Sequence, residues 1–298
     1  MQPGTSNSVS FCGVARVRRS IFTTKVTDWS GLWQELAERY RSPQKVANGR
    51  PIDCWLQRAE SFDVRTKTER SIQADPLMEF LMNSLGPAST FLDIGAGTGR
   101  WAIPAARIAQ RVTAIEPSPA MLTHLRQNIA RAGLGNVALV EARWEDAQVH
   151  PHDVVLCSHA MYASPDFLGF VGKMERSALY KCFLVMRVPS ADGVIGQLCR
   201  RFYGHMHDSP NFVIGYNILC EAGIVANVLI EPSIRPWRSQ TLDEALQRAK
   251  RHLRLGEASQ YDSDIRELLS QRLQFKDGTY WWPDGMRSAL VWWNVTPS

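Results

Sequence analysis

Between residues 91 and 188, short apolar runs alternate with stretches whose apolar positions return every third or fourth residue. Phe91-Leu-Asp-Ile94, Val112-Thr-Ala-Ile115, residues 137–141, Asp153-Val-Val-Leu-Cys157 and Cys182-Phe-Leu-Val-Met-Arg-Val188 have the length and composition of buried strands. Residues 98–110, 118–132 and 166–179 carry the helical pattern, with Ser118-Pro119 as cap and first-turn proline, Gly133 as a stop and Asp166 as a second cap. Strands and helices in this rhythm predict an α/β fold built on a parallel, doubly wound sheet with helices on both faces. Ligands of such sheets bind beyond the carboxyl ends of the strands. Residues 95–99, Glu116, Arg143-Trp144 and 158–162 all fall there.

The flanks have a different texture. Residues 28–86 read as helical: Trp29, Leu32, Trp33 and Leu36 recur at helical spacing, and a helix over 72–85 stops at Gly86-Pro87. Past Val188 the pattern predicts helices over 194–202 and 212–222, a strand over 225–231, and helices over 242–255 and 264–273. Phe275-Lys-Asp277-Gly278-Thr-Tyr-Trp-Trp282 has the Asp-Gly bend of a hairpin, and residues 288–295 make a last strand.

The sharpest chemistry lies in Phe91-Leu-Asp-Ile-Gly95-Ala-Gly97-Thr-Gly99-Arg100, followed by Glu116 at the end of the next strand. Glycine reaches backbone angles closed to other residues, and without a Cβ it lets a ligand lie against the main chain. The helix expected over 98–110 would aim its free N–H groups at whatever fills the turn. A dinucleotide fingerprint is G-x-G-x-x-G, whereas here the spacing is G-x-G-x-G. A carboxylate at Asp93 would repel a pyrophosphate and attract an ammonium group. An acid at Glu116 suits a ribose diol, so the set favours a nucleoside joined to an amino acid. LDIGAGTGR followed by AIEPS resembles the first two motifs of the class I S-adenosylmethionine-dependent methyltransferases.

That resemblance covers about residues 86–188 and implies a mainly parallel, seven-stranded sheet closed by an antiparallel pair, here 225–231 and 288–295. The roughly 55 residues between them exceed ordinary loop lengths. They read as a helical and hairpin cap insertion over 233–287, with the core at 87–232 and 288–298, an N-terminal helical lid at 28–86 and a tail at 1–27. Carried over residue by residue, S-adenosylmethionine would lie against Asp93, Gly95, Gly97 and Gly99, with Glu116 on the ribose, Met121 on the adenine, and Ser158 at the end of the fourth strand. Where the family has an acid reading the adenine amine, this chain has Arg143; Trp144 would stack or offer its N–H, or Glu145 or Asp146 would take over. Phe62 either covers the methionine end of the cofactor or packs in the core.

Methyl transfer from a sulfonium is an in-line displacement, so the protein mainly orients the reactants and keeps the site dry. A base is needed only if the acceptor loses a proton. The segment facing the methyl group, Cys157-Ser-His159-Ala-Met161-Tyr162, is neither the Asn/Asp-Pro-Pro-aromatic signature of base methylation nor a Pro-Cys nucleophile. It leaves His159 as a base or a backbone-satisfied histidine, Tyr162 as a wall or donor, and Met161 in the substrate pocket. His205-Met-His207-Asp208, with Cys199 nearby, offers substrate-facing histidines, loop polar residues or weak metal ligands, and no metal is expected. In Trp281-Trp282 and Trp292-Trp293, alternation puts one indole of each pair in the core and the other on an apolar pocket. The expectation is therefore a small-molecule acceptor, with an RNA or protein methyltransferase, or a non-catalytic cofactor-binding protein, as alternatives.

Composition narrows the partners. The chain has 298 residues, 45% hydrophobic and 21% charged, an ordinary globular balance. No apolar run reaches the roughly 18 residues of a membrane span. The net charge of +5 is dispersed, unlike the concentrated stripe of a nucleic-acid binder. The basic run Arg248-Ala-Lys250-Arg251-His252-Leu-Arg254 reads as a solvated helix face. Six scattered cysteines without a C-x-x-C pair fit a reducing, cytoplasmic setting. Residues 1–27 contain no acid and carry Arg16, Arg18, Arg19 and Lys25, the composition of a transit peptide, a disordered tail or an over-extended start.

Overall fold

A computed structural model describes residues 27–40, 46–47, 50–51, 53–72, 75–190, 193–232, 235–256 and 259–295. The tail expected over 1–27 lies almost wholly outside the described residues. The N-terminal segment supplies α1 (Trp29–Tyr40), a short ladder of β1 (Val46–Ala47) with β2 (Arg50–Pro51), α2 (Ala59–Ile72) and α3 (Pro76–Met82). Asp75 caps α3 by accepting from Met78 N–H at 3.0 Å.

The alternating segment then gives β3 (Thr90–Ile94), α4 (Ala102–Ala106), β4 (Arg111–Ile115), α5 (Pro119–Arg131), β5 (Val137–Val140), β6 (His152–Ser158), α6 (Phe167–Arg176) and β7 (Ala178–Val188). Strands β3 to β7 pair in parallel in the order β7-β6-β3-β4-β5. The two crossover directions meet at β3, which is buried from Phe91 onward. After α7 (Val194–Tyr203) and α8 (Phe212–Glu221) comes β8 (Asn227–Ile230). The long β11 (Thr279–Asn294) lies antiparallel between β7 and β8, completing a seven-stranded core.

The sheet buries both faces, as strands without polar alternation require. On one face Leu92, Ile94, Val155, Leu184 and Val291 meet α1, α6 and α8; on the other Phe91, Val112, Leu156, Phe183 and Leu290 meet α3, α4 and α5. A third cluster, built on α7, α9 (Leu242–His252), α10 (Asp262–Arg272) and Trp282, is the core of the cap. There β9 (Arg235–Ser239) and β10 (Gln274–Lys276) both pair with the first half of β11. Helix α7 thus shares its apolar face with the cap, although it precedes β8 in sequence.

Three elements differ from the sequence reading. The helix expected over 98–110 is only Ala102–Ala106, because Gly99 at φ +94° delays its start and the chain continues in turns to 110. Strand β7 begins at Ala178, where α6 has already ended with Ser177 as its cap. The hairpin strand and the last strand are one continuous β11; its register with β9 shifts between Trp281 and Gly285, which absorbs Pro283, a residue tolerated at a bulge and otherwise a strand breaker. The Asp277-Gly278 bend forms as expected, with both residues at positive φ.

Candidate active site

The glycine turn opens where β3 ends. Gly95 and Ala96 both donate to the Ile115 carbonyl, at 2.8 and 2.9 Å, which ties the turn to the end of β4. Gly95 and Gly97 sit at φ +72° and +57°, the left-handed region that glycine enters at no steric cost. A Cβ on Gly95 would lie 2.3 Å from the Ala160 Cβ, so the loop after β6 closes directly onto the turn. At Gly97 a Cβ would meet nothing nearer than the Phe62 ring at 3.7 Å. The Phe62 ring thus lies near the bare backbone of Gly97, and Phe62 is held in turn by Trp55 at 5.5 Å. Beneath the turn Asp93 is fully buried, between Ala114 of β4 and Leu156 of β6.

Glu116 is the hinge of the site. One carboxylate oxygen accepts from Gly97 N–H and the other from Ser118 N–H, each at 2.9 Å. Each oxygen keeps a further lone pair, which fits a diol. Burial raises the Glu116 pKa, the two N–H donors oppose it, and Asp53 adds to the rise. Asp53 has no local sequence signal. It accepts from Ser118 Oγ at 2.7 Å and Ala120 N–H at 3.1 Å, so it clamps the N-terminal segment onto the start of α5. Burial pushes its pKa up, but the bonds from Ser118, Trp55 and Ala120 outweigh that and hold it below the ordinary value. Met121 is buried in the first turn of α5, its N–H on Ser118 Oγ. Asp63, next to Phe62, accepts from Asn128 at 2.7 Å, and the same amide donates to the Thr98 carbonyl at 3.0 Å. Helix α2 is thereby fixed against the turn.

The segment after β5 is turned otherwise. Trp144 is buried with its indole N–H on the Phe170 carbonyl at 3.3 Å, so its ring packs under α6. Lys173 reaches from α6 to the carbonyls of Trp144, Glu145 and Ala147 at 2.5, 3.0 and 2.7 Å. Burial holds the Lys173 pKa below its ordinary value. Arg143 points to solvent, 3.8 Å from Glu145.

At the end of β6, Ser158 is half-buried and pairs with Val185, Met161 is fully buried in the core, and His159 is exposed at φ +56°. Its Nδ1 lies 2.9 Å from the Tyr162 hydroxyl and its Nε2 3.3 Å from Ser288 Oγ. The Tyr162 oxygen also accepts the Arg187 N–H at 2.6 Å. The Tyr162 hydroxyl can give its own proton to Nδ1 or, through its second lone pair, accept from Nδ1–H; the second arrangement leaves Nε2 unprotonated toward Ser288. Burial pushes the Tyr162 pKa well up, so the phenol stays protonated. Ser288 comes from β11, with its N–H on the buried Glu231 carboxylate at 3.1 Å.

His205 and His207 lie together on the loop between α7 and α8, with rings stacked at 6.2 Å. His207 Nδ1 sits 3.1 Å from the Asn211 amide, and burial lowers its pKa. Asp208 is engaged by Arg187 at 2.9 Å and His252 at 2.7 Å. Burial pushes the Cys199 thiol up to about 12, so it keeps its proton. Among the described residues no group of three or more His, Cys, Asp or Glu is arranged to hold a metal. The structure thus brings Asp93, Gly95, Gly97, Gly99, Glu116, Met121 and Phe62 around one turn, with His159 and Tyr162 beside it, while the Trp144 ring and Arg143 lie apart.

Residues 91–178 match the family model of a methyltransferase domain. An uncharacterized protein of Haemophilus influenzae is 28% identical over 211 residues, spanning 68% of this chain and 75% of that one. Among solved structures, the YcgJ protein of Bacillus subtilis superposes with a TM-score of 0.50 at 15% identity, over 74% of this chain and 99% of the other. A putative methyltransferase of Bacillus halodurans gives 0.47 at 17% identity, over 74% and 99%.

Proposed function

We propose that the chain is a class I S-adenosylmethionine-dependent methyltransferase and that it methylates a small-molecule acceptor. The bound donor supplies an activated methyl group. The residues present fit it: a glycine backbone that bears no Cβ under the Phe62 ring, a buried carboxylate at Asp93, and the two outward lone pairs of Glu116. In this reading Asp93, Gly95, Gly97 and Gly99 hold the methionine and ribose part, Glu116 takes the ribose hydroxyls, and Met121 packs on the base. Phe62 and Ala160 close the turn from either side and exclude water.

The observation that carries the reading is His159, fixed by Tyr162 and Ser288 beside the glycine turn. An acceptor hydroxyl or amine would meet Nε2 once the Ser288 hydroxyl turns away from it, and His159 would take the acceptor's proton in the tautomer that leaves that nitrogen unprotonated. Tyr162 holds the ring in place. Titration calorimetry tests the donor site: S-adenosylmethionine and its demethylated product bind and NAD does not, and Asp93→Ala or Gly97→Arg abolishes binding. Binding of NAD alone would sink the proposal.

An RNA acceptor is less well supported. The basic run on α9 is engaged within the cap. Lys250 is 2% exposed with Asp262 at 2.8 Å, Arg248 stacks on Trp237, and His252 pairs with Asp208. Of that run only Arg251 and Arg254 stay exposed, too few for the row of cations that a phosphate backbone takes, in contrast to the solvated face expected from its sequence.

A further inference from the structure

Beyond His159 the aromatic surface continues outward. Tyr40, at the end of α1, meets the edge of Tyr162 at 6.0 Å between centroids. The guanidinium of Arg254, just past α9, lies 5.3 Å over the Tyr40 ring. The guanidinium of Arg39 lies 4.8 Å over the ring of Tyr203, at the end of α7. Each arginine is thus carried by one element and stacked on a tyrosine of another, and the four side chains form a rim where α1 meets the cap.

The charge on that rim is one-sided. Among the described residues no carboxylate lies within salt-bridge distance of Arg254, and Arg39 has only the exposed Glu35 at 3.8 Å. The nearby acid Asp208 is already engaged by Arg187 and His252. A guanidinium stacked on a ring keeps its N–H edge free to take an anion's oxygens in the plane of the fork. The tyrosines meanwhile offer flat apolar faces to a planar body.

On the small-molecule reading above, we infer that the acceptor is a planar molecule bearing an anionic group, with that group held by Arg254 and Arg39 and its reactive atom turned toward His159. Carboxylate and phosphate share this chemistry. The Tyr40 and Tyr203 rings would fix the orientation, so these four residues determine which acceptor is chosen and take no part in the transfer step.

The test uses the full chain and a metabolite extract filtered to small molecules, split on an anion exchanger before any reaction. Each fraction is incubated with the protein and methyl-labelled S-adenosylmethionine. Label is expected from the retained fraction alone, and prior phosphatase treatment abolishes it if the group is a phosphate and spares it if it is a carboxylate. Arg254→Met and Arg39→Met should each lower incorporation at least tenfold with product-cofactor affinity unchanged within twofold, while Arg254→Lys, which keeps the charge but not the fork, retains only part of it. Label from the unretained fraction, or undiminished transfer by both methionine variants, overturns the inference. Label from neither fraction, with the product cofactor still bound, overturns the small-molecule reading and this inference with it. Failure to bind the product cofactor fails the donor site instead.

Discussion

Gly95 on the turn and His159 beside it are both at positive φ, and they fail in different ways when changed. At Gly95 an added methyl costs about 1–2 kcal/mol for the left-handed angle alone. The 2.3 Å approach to Ala160 adds to that. Gly95→Ala should therefore lower the melting temperature and weaken product-cofactor binding together; a variant that melts like wild type and binds normally would refute this account. His159→Ala should lower kcat by roughly 10²–10⁴, the usual worth of a positioned base, and leave cofactor affinity intact. An unchanged kcat would reduce His159 to a packing role. The residues around the turn were readable because Asp93 and the glycines are neighbours in sequence and Glu116 ends the next strand. Asp53 and Ser288 were not, since nothing in the chain marks that Asp53 meets Ser118 or that Ser288 meets His159. Such long-range partners depend on the whole fold, not on any local pattern.

At the scale of elements, α1 is less a surface lid than part of the core. Trp33 is fully buried, stacks on Phe167 at 4.1 Å, and donates its indole N–H to the Ser164 carbonyl at 2.9 Å. Trp33→Ala should cost about 3–5 kcal/mol, the range for emptying a buried aromatic site. Denaturant midpoints measure it, and a loss below about 1 kcal/mol would mean that α1 can leave without disturbing the sheet. The helical period of Trp29, Leu32, Trp33 and Leu36 was enough to find this helix. The α4 helix was overextended because hydrophobic pattern alone cannot see that Gly99 holds the chain in a turn. In the tryptophan pairs alternation worked: Trp282 and Trp293 are buried, with their N–H groups on Ser239 and Glu175. Their neighbours line no open pocket, because Arg238 covers Trp281 and Phe80 packs on Trp292.

Taken as a whole, the molecule joins core to cap through Arg187 on β7, Asp208 on the intervening loop and His252 on α9. Burial opposes ionisation of Asp208, but Arg187 and His252 outweigh it and hold the carboxyl down to about 2. A depressed acid stabilises the fold above its unfolded pKa, and that contribution fades as pH falls toward the folded value. The melting-temperature gap between wild type and Asp208→Asn should therefore be full at neutral pH and close between about pH 4 and pH 2. A gap that stays constant through that window would contradict the assignment. The parallel sheet was legible from strand–helix rhythm alone. The cap was legible only as an excess of residues, because its cluster borrows α7 from before β8 and half of β11 from the core.

That shared strand bears on how the chain is made. Ala289 to Val291 pair with β7 on one side and β8 on the other. A nascent chain on the ribosome therefore holds two exposed strand edges, β7 and β8, with no third strand between them until residues 287–294 emerge. Vulnerability to aggregation is concentrated in that interval. A chaperone that shields the sheet during synthesis would have to release it only once residues 287–294 arrive to fill the gap.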